Sequence, residues 1–415
     1  MRIAVLTNSF PMISETFILR QVTGLLDLGH SVHVVAEFSP DISQPLHADV
    51  ERLQLLEHTS YVNMPPLRNA SRFLALRKTL VECFRAAPVA TIAALNPLAY
   101  GRRAISFSNV FRLGTLLPHL HSLDVLHAHF GPVGEQFRFA RRSCGIPLVV
   151  SFHGYDFSTY PRSHGENCYR RLFQEADLIT VNSEYSRRCV ENLGCPKEKL
   201  RLLHEGLDPG EFTFRERMLP IDGQISLLTV ARLVPKKGIE YALRALSEVL
   251  HTYPKVRYSI IGDGPLLSPL LQLTQSLGIN HAVTFHGAGS GEIVRAAMDR
   301  ADIFLLTSTS ASGDMEGQGL VVQEAQASGM PIIVTKHGPL PEGIVADKSG
   351  FIAPEGDPVA IAKAICRLIE GGNNWPAMGR VGRDYVAATY DINHLNAYLV
   401  KIYEEALYLY RRKRT

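Results

Sequence analysis

The sequence contains no CxxC pair and no apolar run of about 18 residues, and both absences exclude classes of protein. Its six cysteines are scattered, and only Cys189 and Cys195 lie close together. This spacing fits neither a zinc site nor a disulfide framework, so reduced thiols in the cytoplasm are expected. Without a long apolar run, no membrane-spanning helix is predicted. The N-terminus reaches polar Asn8 too soon for a signal peptide.

The chain also lacks a strong charge imbalance. Its formal net charge is +3 over 415 residues, of which 46% are hydrophobic and 20% are charged. This is an ordinary globular composition, and it gives no general reason to expect nucleic acid as a partner. The length suits two domains of roughly 200 residues each.

Short apolar runs alternate with helix-like segments in two series. The first series covers 3–6, 32–35, 124–127, 148–152 and 178–181, and the second covers 225–230, 258–261, 283–285, 303–306 and 332–334. Such runs are typical of buried parallel strands. Two series therefore predict two doubly wound, Rossmann-like α/β domains. The opening unit has no GxGxxG motif, so bound NAD or FAD is not expected.

The predicted domain boundary lies between Glu205 and Gln224, where glycine and proline interrupt regular structure. The predicted domains are 1–208 and 209–388. The last segment, 389–415, is predicted to be a helix that packs back toward the first domain, because apolar residues recur at helical spacing from Ile392. Near the start of the chain, Ser14 is predicted to cap the first helix and Gly29 to end it.

The segment 316–325 combines two glycines and two glutamates at the start of a predicted helix. Gly317 and Gly319 allow a ligand to approach the backbone closely, and the first amides of the helix can bind phosphate. The carboxylates of Glu316 and Glu324 can each accept hydrogen bonds from the vicinal hydroxyls of a sugar. The pattern favours a sugar-phosphate site over the alternative, a capped helix with two solvated glutamates.

A basic loop, 231–238, follows the first strand of the second domain. Arg232 can hold phosphate oxygens with two hydrogen bonds, and Lys237 adds a flexible point charge. The alternative is a solvated basic loop. Because this loop and the carboxylate pair both follow strands of one domain, they are predicted to share a ligand site.

Four motifs follow one another in the second domain. They are Arg-x4-Lys-Gly from Arg232, Gly-Asp-Gly-Pro from Gly262, Glu-x7-Glu from Glu316 and Ala-x-Gly-x-Pro from Ala327. Their order and spacing resemble glycosyltransferase family 4, a family of retaining enzymes with the GT-B fold, in which two Rossmann-like domains face each other across a cleft. The chain departs from many members at Gln318, where an aromatic residue is common, and this is expected to alter which sugar fits.

The resemblance implies a role for each residue of this site. The two cations of the basic loop would neutralise the diphosphate of a nucleotide-sugar donor. Glu316 would contact hydroxyls of the donor sugar, Glu324 would hold the ribose, and the amides of Gly319 and Leu320 would face the phosphates. The implied activity is transfer of a hexose with retained anomeric configuration, and front-face attack is the working hypothesis. No DxD motif follows a predicted strand, so neither a metal ion nor another cofactor is expected.

Histidines follow two predicted strands of the first domain. His153 matches a family histidine that lies beside the reacting centre and hydrogen-bonds the donor sugar, and the alternative is a structural histidine. His127 and His129 share the spacing of metal ligands. No third ligand suggests itself, so no metal site is predicted there.

Two short motifs of the first domain, Ser-Glu-Thr-Phe from Ser14 and His-Ala-His-Phe from His127, suggest a subgroup. They resemble glycosyltransferases that build extracellular polysaccharides, including colanic-acid-type enzymes. On that basis Ser14, Glu15, Thr16 and His129 are expected on the acceptor side. The expected acceptor is a glycan or a lipid-linked oligosaccharide, and a small soluble acceptor stays open.

The segment from Leu67 to Arg112 is basic and interleaved with apolar residues. Its cations are Arg68, Arg72, Arg77, Lys78, Arg85, Arg102, Arg103 and Arg112, and its one acid is Glu82. Such a face can rest on anionic lipid headgroups, which predicts a peripheral location on the inner face of the cytoplasmic membrane. The alternative is a solvated helical face.

Two other classes of function stay open at this point. A nucleotide-sugar epimerase can share the two-domain architecture, but it needs no acceptor. A non-catalytic protein that binds sugar nucleotides would not need the full set of charged residues. Release of nucleoside diphosphate that depends on an acceptor distinguishes a transferase from both.

Overall fold

The computed structural model describes residues 1–12, 15–40, 47–65, 70–310 and 313–412, and the chain forms two compact units. The first unit comprises Met1–Asn182, Arg187–Leu203 and Ile392–Thr415, and the second comprises Ser183–Ser186 and His204–Asp391. The predicted domains, 1–208, 209–388 and 389–415, differ from these units by a few residues at each limit. They also place Ser183–Ser186 in the first domain, whereas these residues belong to the second unit.

In the described part of the first unit, seven parallel strands form one sheet. They are β1 (Arg2–Ser9), β2 (Ser31–Phe38), β3 (Thr59–Tyr61), β4 (Val125–His129), β5 (Leu148–Phe152), β6 (Leu178–Val181) and β7 (Leu200–Leu202). The strand order is β3-β2-β1-β4-β5-β6-β7, and Val5 of β1 pairs with Val34 on one side and His127 on the other. The order reverses between β1 and β4, which is where doubly wound folds bind ligands, beyond the carboxyl ends of the strands.

In the described part of the chain, eleven helices lie between successive strands of this sheet. They are α1 (Thr16–Asp27), α2 (Ala48–Arg52), α3 (Ala70–Ala86), α4 (Pro88–Ala94), α5 (Pro97–Tyr100), α6 (Arg102–Ile105), α7 (Ser108–Leu116), α8 (Gly131–Cys144), α9 (Thr159–His164), α10 (Arg170–Glu175) and α11 (Glu184–Asn192). The predicted cap at Ser14 lies outside the described residues. Gly29 has φ +77° and follows the end of α1, where a glycine is favoured.

In the second unit, the described residues form a parallel sheet of six strands. They are β8 (Ser226–Val230), β9 (Arg257–Ile261), β10 (Val283–Phe285), β11 (Ile303–Leu306), β12 (Ile332–Thr335) and β13 (Gly350–Ala353). The order is β10-β9-β8-β11-β12-β13. This is again a doubly wound sheet whose order reverses, here between β8 and β11. The prediction of two Rossmann-like α/β domains is therefore confirmed.

Six helices of the described chain flank these strands in sequence. They are α12 (Ile239–Thr252), α13 (Leu267–Ser276), α14 (Gly291–Arg300), α15 (Leu320–Ala327), α16 (Pro358–Glu370) and α17 (Trp375–Thr389). Short 3₁₀ turns lie at Lys197–Lys199, Pro209–Glu211, Pro235–Lys237, Leu340–Gly343 and Gly372–Asn374. The core of this unit buries the apolar faces of α12 and α16 together with the strands.

The last helix, α18 (Ile392–Arg412), belongs to the first unit. Its apolar stripe, which includes Leu399, Ile402 and Ala406, is buried in the same core as α1. Tyr403 is also fully buried. The last turn of α18 carries Arg411 and Arg412, cations that suit a helix C-terminus. Among the described residues, no helix combines the length and apolar character needed to cross a bilayer.

Candidate active site

The basic loop after β8 and the chain after β11 are joined by hydrogen bonds within the second unit. The amide of Thr309 donates to the carbonyl of Lys236 over 2.8 Å, and the Thr307 hydroxyl donates to the carbonyl of Gly238 over 3.0 Å. Gly238 has φ +57°, and a Cβ added there would lie 2.1 Å from the Thr307 carbonyl oxygen. Glycine is therefore required for the two segments to lie this close. Their contact brings the lysines of the loop to the start of the Glu-x7-Glu segment.

Lys237 and Glu316 form a buried ion pair. Nζ of Lys237 lies 2.7 Å from Oε1 of Glu316, and the two side chains are only 13% and 6% exposed. The Ser308 hydroxyl donates to the same oxygen over 3.1 Å. Burial acts to raise the pKa of Glu316, but the charges of Lys237 and Lys236 and these hydrogen bonds outweigh it, so the pKa is lowered. Glu316 is therefore an anion at neutral pH.

The neighbouring lysine makes different contacts. Nζ of Lys236 lies 3.0 Å from Oδ2 of Asp314 and donates to the carbonyl of Met315 over 3.4 Å. Arg232 is exposed, and its guanidinium makes no hydrogen bond or ion pair within the described part of the chain. Of the three cations in the loop, Arg232 is thus the one whose charge is open to an anionic ligand without a competing contact.

A second loop packs on the segment that carries Arg232. The amide of Ala231 donates to the carbonyl of Ile261 over 2.9 Å, and the amide of Leu233 donates to the carbonyl of Asp263 over 2.9 Å. Gly262 has φ +144°, and a Cβ there would meet the carbonyl oxygen of Ala231 at 1.8 Å. The Gly-Asp-Gly-Pro motif therefore supports the backbone of the basic loop.

The structure places the predicted phosphate-binding residues at the start of α15. Gly319 has φ +79° and immediately precedes this helix, whose first residue is Leu320. Gly317 lies in the loop just before it, and Glu324 is half-buried one turn into the helix. The amides that the sequence analysis expects to bind phosphate therefore lie at the positive end of a helix dipole.

Gln318, the position at which the chain departs from many family members, has its side chain bound to backbone. Its side-chain oxygen accepts from the amide of Glu205 over 2.7 Å, and its side-chain nitrogen donates to the carbonyl of Glu205 over 2.8 Å. The side chain is 4% exposed. Because both ends of the side-chain amide bind backbone, Gln318 fixes the start of the second unit.

His337, which the sequence analysis did not select, also contacts the Glu316 segment. Its Nε2 accepts from the backbone amide of Glu316 over 3.2 Å, and its Nδ1 lies 2.9 Å from Oε2 of Glu355. The available signal was the run of polar residues 335–337, which begins at the last residue of the buried strand β12. That strand is the neighbour of β11, so its carboxyl end lies at the same edge of the sheet.

In the first unit, the structure brings His129 and His153 together. His129 ends β4, and its Nδ1 lies 3.1 Å from Nε2 of His153. The two rings are stacked, with centroids 5.3 Å apart. The ring of Phe17, from α1, lies 4.5 Å from that of His153. Burial, followed by the nearby histidines, lowers the pKa of His129 well below its ordinary value, so this imidazole is neutral.

His127 has its two ring nitrogens engaged and is structural. Nε2 lies 2.7 Å from the Ser151 hydroxyl, and Nδ1 lies 2.7 Å from the hydroxyl of Tyr403 on α18. Burial, with a smaller effect of His153, lowers the pKa of His127 to about 3. Within the described residues no group of three or more His, Cys, Asp or Glu side chains is placed to hold a metal ion.

Asp156 fixes the loop that carries His153. Its buried carboxylate accepts from the amide of Gly154 over 2.8 Å, from the amide of His153 over 3.0 Å and from the amide of Gly131 over 3.2 Å. Burial raises the pKa of Asp156, although His153 and the three amides act in the opposite direction. The spacing His-Gly-x-Asp, in which this residue is the last, could have identified it as the cap of the loop.

The predicted acceptor-side residues are only partly placed. Ser14 lies outside the described residues. Glu15 and Thr16 are half-buried at the start of α1, next to the Phe17 that contacts His153. His129 is completely buried in the described structure.

Two family models together match most of the chain. The model "Glycosyltransferase Family 4" matches residues 14–211, and "Glycosyl transferases group 1" matches residues 211–384. WcaL of Salmonella typhimurium, named as a colanic acid biosynthesis glycosyltransferase, is 33% identical over 89% of this chain and 90% of its own length. The amylovoran biosynthesis glycosyltransferase AmsK of Erwinia amylovora is 31% identical over 89% of this chain and 91% of its own.

A solved structure shows the same fold. The Anabaena protein Alr3699/HepE, determined in complex with UDP, superposes with a TM-score of 0.72 at 18% identity, over 97% of this chain and 99% of that one. The epimerase alternative gains no support from these relatives. With its family models, its relative at 33% identity and its pair of Rossmann-like sheets, the chain belongs to glycosyltransferase family 4, has the GT-B fold and is a glycosyltransferase related to enzymes of exopolysaccharide biosynthesis.

Proposed function

We propose that this glycosyltransferase moves a hexose from a nucleoside-diphosphate sugar, retains the anomeric configuration and uses protein cations in place of a metal ion. The observation that carries the proposal is the largely buried Lys237–Glu316 ion pair, at 2.7 Å, together with the exposed Arg232 in the same loop as Lys237. These groups follow strands of one sheet, at the edge where doubly wound folds bind their ligands.

The proposed chemistry concerns the charge of the leaving group. When the glycosidic bond of the donor breaks, negative charge grows on the departing diphosphate. Arg232 and Lys237 would stabilise that charge together with the amides of Gly319 and Leu320, because preorganised donors in a partly dry site need little rearrangement. Glu316 would accept a hydrogen bond from a hydroxyl of the donor sugar. This hydrogen bond is strong because the carboxylate is charged.

Three further roles are part of this proposal. Glu324 would accept hydrogen bonds from the hydroxyls of the ribose, and Gly317 would let the sugar approach the backbone. In the first unit, His153 would act in catalysis, and its neutral partner His129 would lie on the acceptor side with Glu15 and Thr16. Retention by front-face attack is tested by NMR of the product, and an inverted anomer would rule it out.

The donor site is tested with a thermal-shift panel of UDP, GDP, ADP and dTDP, with and without EDTA, on the wild type and Glu324→Ala. We expect one diphosphate to raise the melting temperature, by about 2–4 °C, because a ligand bound only by the folded state stabilises it by mass action. The shift should survive EDTA and disappear in Glu324→Ala. A shift abolished by EDTA would contradict metal independence, and no shift with any nucleotide would contradict the donor site.

We also propose that the acceptor is a glycan or a lipid-linked glycan reached at an anionic membrane surface. The structural support is a set of large apolar side chains on the helices from α3 to the start of α7, each more than a third exposed. They are Phe73, Leu74, Val81, Phe84, Val89, Ile92, Leu98, Ile105 and Phe107.

The cations of this region are fewer on the surface than the sequence suggests. Arg112 is buried in an ion pair with Glu37, Arg103 binds Glu135 at 3.1 Å, and Arg72 donates to the carbonyl of Ser106 over 2.7 Å. Leu67 and Arg68 lie outside the described residues. The exposed cations that make no ion pair in the described chain are Arg77, Lys78, Arg85 and Arg102. The surface therefore combines exposed apolar side chains with a smaller number of cations, which suits insertion among headgroups.

The membrane proposal predicts a loss of vesicle binding in the double variant Val89→Ser/Ile92→Ser. We expect binding to anionic vesicles to fall about tenfold or more, because two exposed apolar side chains no longer enter the interface. Sedimentation with vesicles that contain phosphatidylserine measures it. Ile221→Ser is the matched control, since Ile221 is fully exposed on the second unit. Equal loss in the control, or equal binding of the wild type to neutral vesicles, would contradict the proposal.

A further inference from the structure

We propose that His337 and Glu355 are positioning residues for Glu316. His337 holds the backbone of Glu316, and Glu355 holds the ring of His337. The inference rests on the proposed function, because it takes Glu316 to be the carboxylate that binds the donor sugar. All residues involved belong to the second unit.

The hydrogen bonds of His337 have a fixed direction. A backbone amide can only donate, so Nε2 of His337, 3.2 Å from the amide of Glu316, is the unprotonated acceptor. In the neutral ring the proton is then on Nδ1, which lies 2.9 Å from Oε2 of Glu355. The Ser310 hydroxyl donates to the same carboxylate oxygen over 3.1 Å. Glu355 thus selects the tautomer that can accept from Glu316.

Burial makes this arrangement rigid. The side chain of His337 is 0% exposed, whereas that of Glu355 is 36% exposed. The ring cannot turn without breaking a hydrogen bond at each nitrogen, and the Glu316 amide would then be a buried donor without its partner. Both nitrogens of His337 are used within the protein, so the residue acts through Glu316 and not on the substrate.

The end of β12 supports Glu316 at two points. The hydroxyl of Thr335 donates to the carbonyl of Ser308, and the hydroxyl of Ser308 donates to Oε1 of Glu316 over 3.1 Å. Two residues after Thr335, His337 binds the backbone of Glu316. The end of one strand therefore fixes both the side chain and the backbone of Glu316. Its Oε1 is held 2.7 Å from Nζ of Lys237.

The experiment compares His337→Ala, His337→Gln, Glu316→Gln and the double variant His337→Ala/Glu316→Gln. Donor kcat and KM are measured for each, and the affinity for the free nucleoside diphosphate is measured separately. We expect His337→Ala to lower kcat/KM by about 10- to 100-fold, since a displacement of about 1 Å at a positioning contact has effects of this size. Diphosphate affinity should stay within about twofold, since Glu316 is proposed to bind the sugar and not the phosphates.

Two features separate positioning from general damage to the fold. His337→Gln keeps an acceptor and a donor near the two ring nitrogens, so it should recover part of the lost activity. The double variant should be no slower than Glu316→Gln alone, because His337 has nothing left to position. Glu355→Gln is the milder variant if His337→Ala fails to fold, and it should lower kcat/KM by about threefold, since it keeps the acceptor oxygen but loses the charge.

Each contrary result has a distinct meaning. If the losses in the double variant multiply, or if diphosphate affinity falls as much as kcat/KM, the positioning role is overturned. If Glu316→Gln leaves kcat/KM unchanged, the proposed role of Glu316 is wrong and this inference fails with it. If Glu316→Gln is slow while His337→Ala and Glu355→Gln both match the wild type, only the inference fails.

Discussion

Replacing Lys237 with alanine is expected to lower kcat by about 10²- to 10³-fold, which is the usual effect of removing one preorganised group that stabilises developing charge. Lys237 is the cation that contacts Glu316, at 2.7 Å, and its side chain is largely buried. Its charge is therefore poorly screened by water, and little rearrangement is needed when the diphosphate leaves. Steady-state kinetics at saturating donor measures the effect.

Lys236 provides the matched control for this prediction. It is adjacent in sequence and has the same charge, but its Nζ lies 3.0 Å from Asp314, whose side chain is 40% exposed. Lys236→Ala is expected to lower kcat by less than about tenfold, because a partly solvated pair contributes little. If the two variants lose activity equally, the effect is that of total charge in the loop and the specific role of Lys237 is wrong.

The same substitution has a consequence for the pH profile. Burial alone would raise the pKa of Glu316, and the nearby lysines lower it. In Lys237→Ala one of those lysines is lost, so the pKa of Glu316 rises toward and above its ordinary value. The acid limb of kcat/KM should then move to higher pH in Lys237→Ala and by a smaller amount in Lys236→Ala, because Lys237 lowers this pKa more and is also hydrogen-bonded to Glu316. This readout separates loss of the Glu316 charge from loss of the contact with the diphosphate.

The fold was predictable where strands are buried on both faces. β5, for example, reads Leu-Val-Val-Ser-Phe and is completely buried, so a continuous apolar run identified it. The strands that the sequence did not predict, β3, β7 and β13, lie at sheet edges and have three or four residues each. Too few residues alternate in such strands to produce a periodic signal.

The chemistry of the site was predictable only as separate motifs. The sequence selects Glu316 for its glycine-rich setting and Lys237 for its basic loop, but their contact depends on how the chain after β11 packs against the loop after β8. His337 carries no motif of its own. Its contact with the amide of Glu316 crosses 21 residues of chain, so single-sequence spacing gives no indication of it.

Arg112 shows most clearly what a sequence count leaves out. The basic segment suggested a surface cation, yet the side chains of Arg112 and Glu37 are 6% and 4% exposed and form a two-point ion pair. The pairing joins α7 to β2, and the two paired residues are 75 positions apart in the chain. No local pattern reports such a contact. A basic residue within an amphipathic stretch is therefore weak support for a lipid-facing surface until its partner is known.

Replacing Arg112 with alanine is accordingly expected to destabilise the protein by about 3–5 kcal/mol, because Glu37 would remain buried without its partner. Urea denaturation of the purified protein measures the change in the free energy of unfolding. Arg85→Ala is the matched control, since Arg85 is exposed in the same region and should change stability by less than about 0.5 kcal/mol. The double variant Glu37→Gln/Arg112→Met should be more stable than Arg112→Ala, because it leaves no buried charge. A loss in Arg112→Ala as small as that in Arg85→Ala would mean that water reaches Glu37, and would favour the solvated helical face that the sequence analysis kept as the alternative.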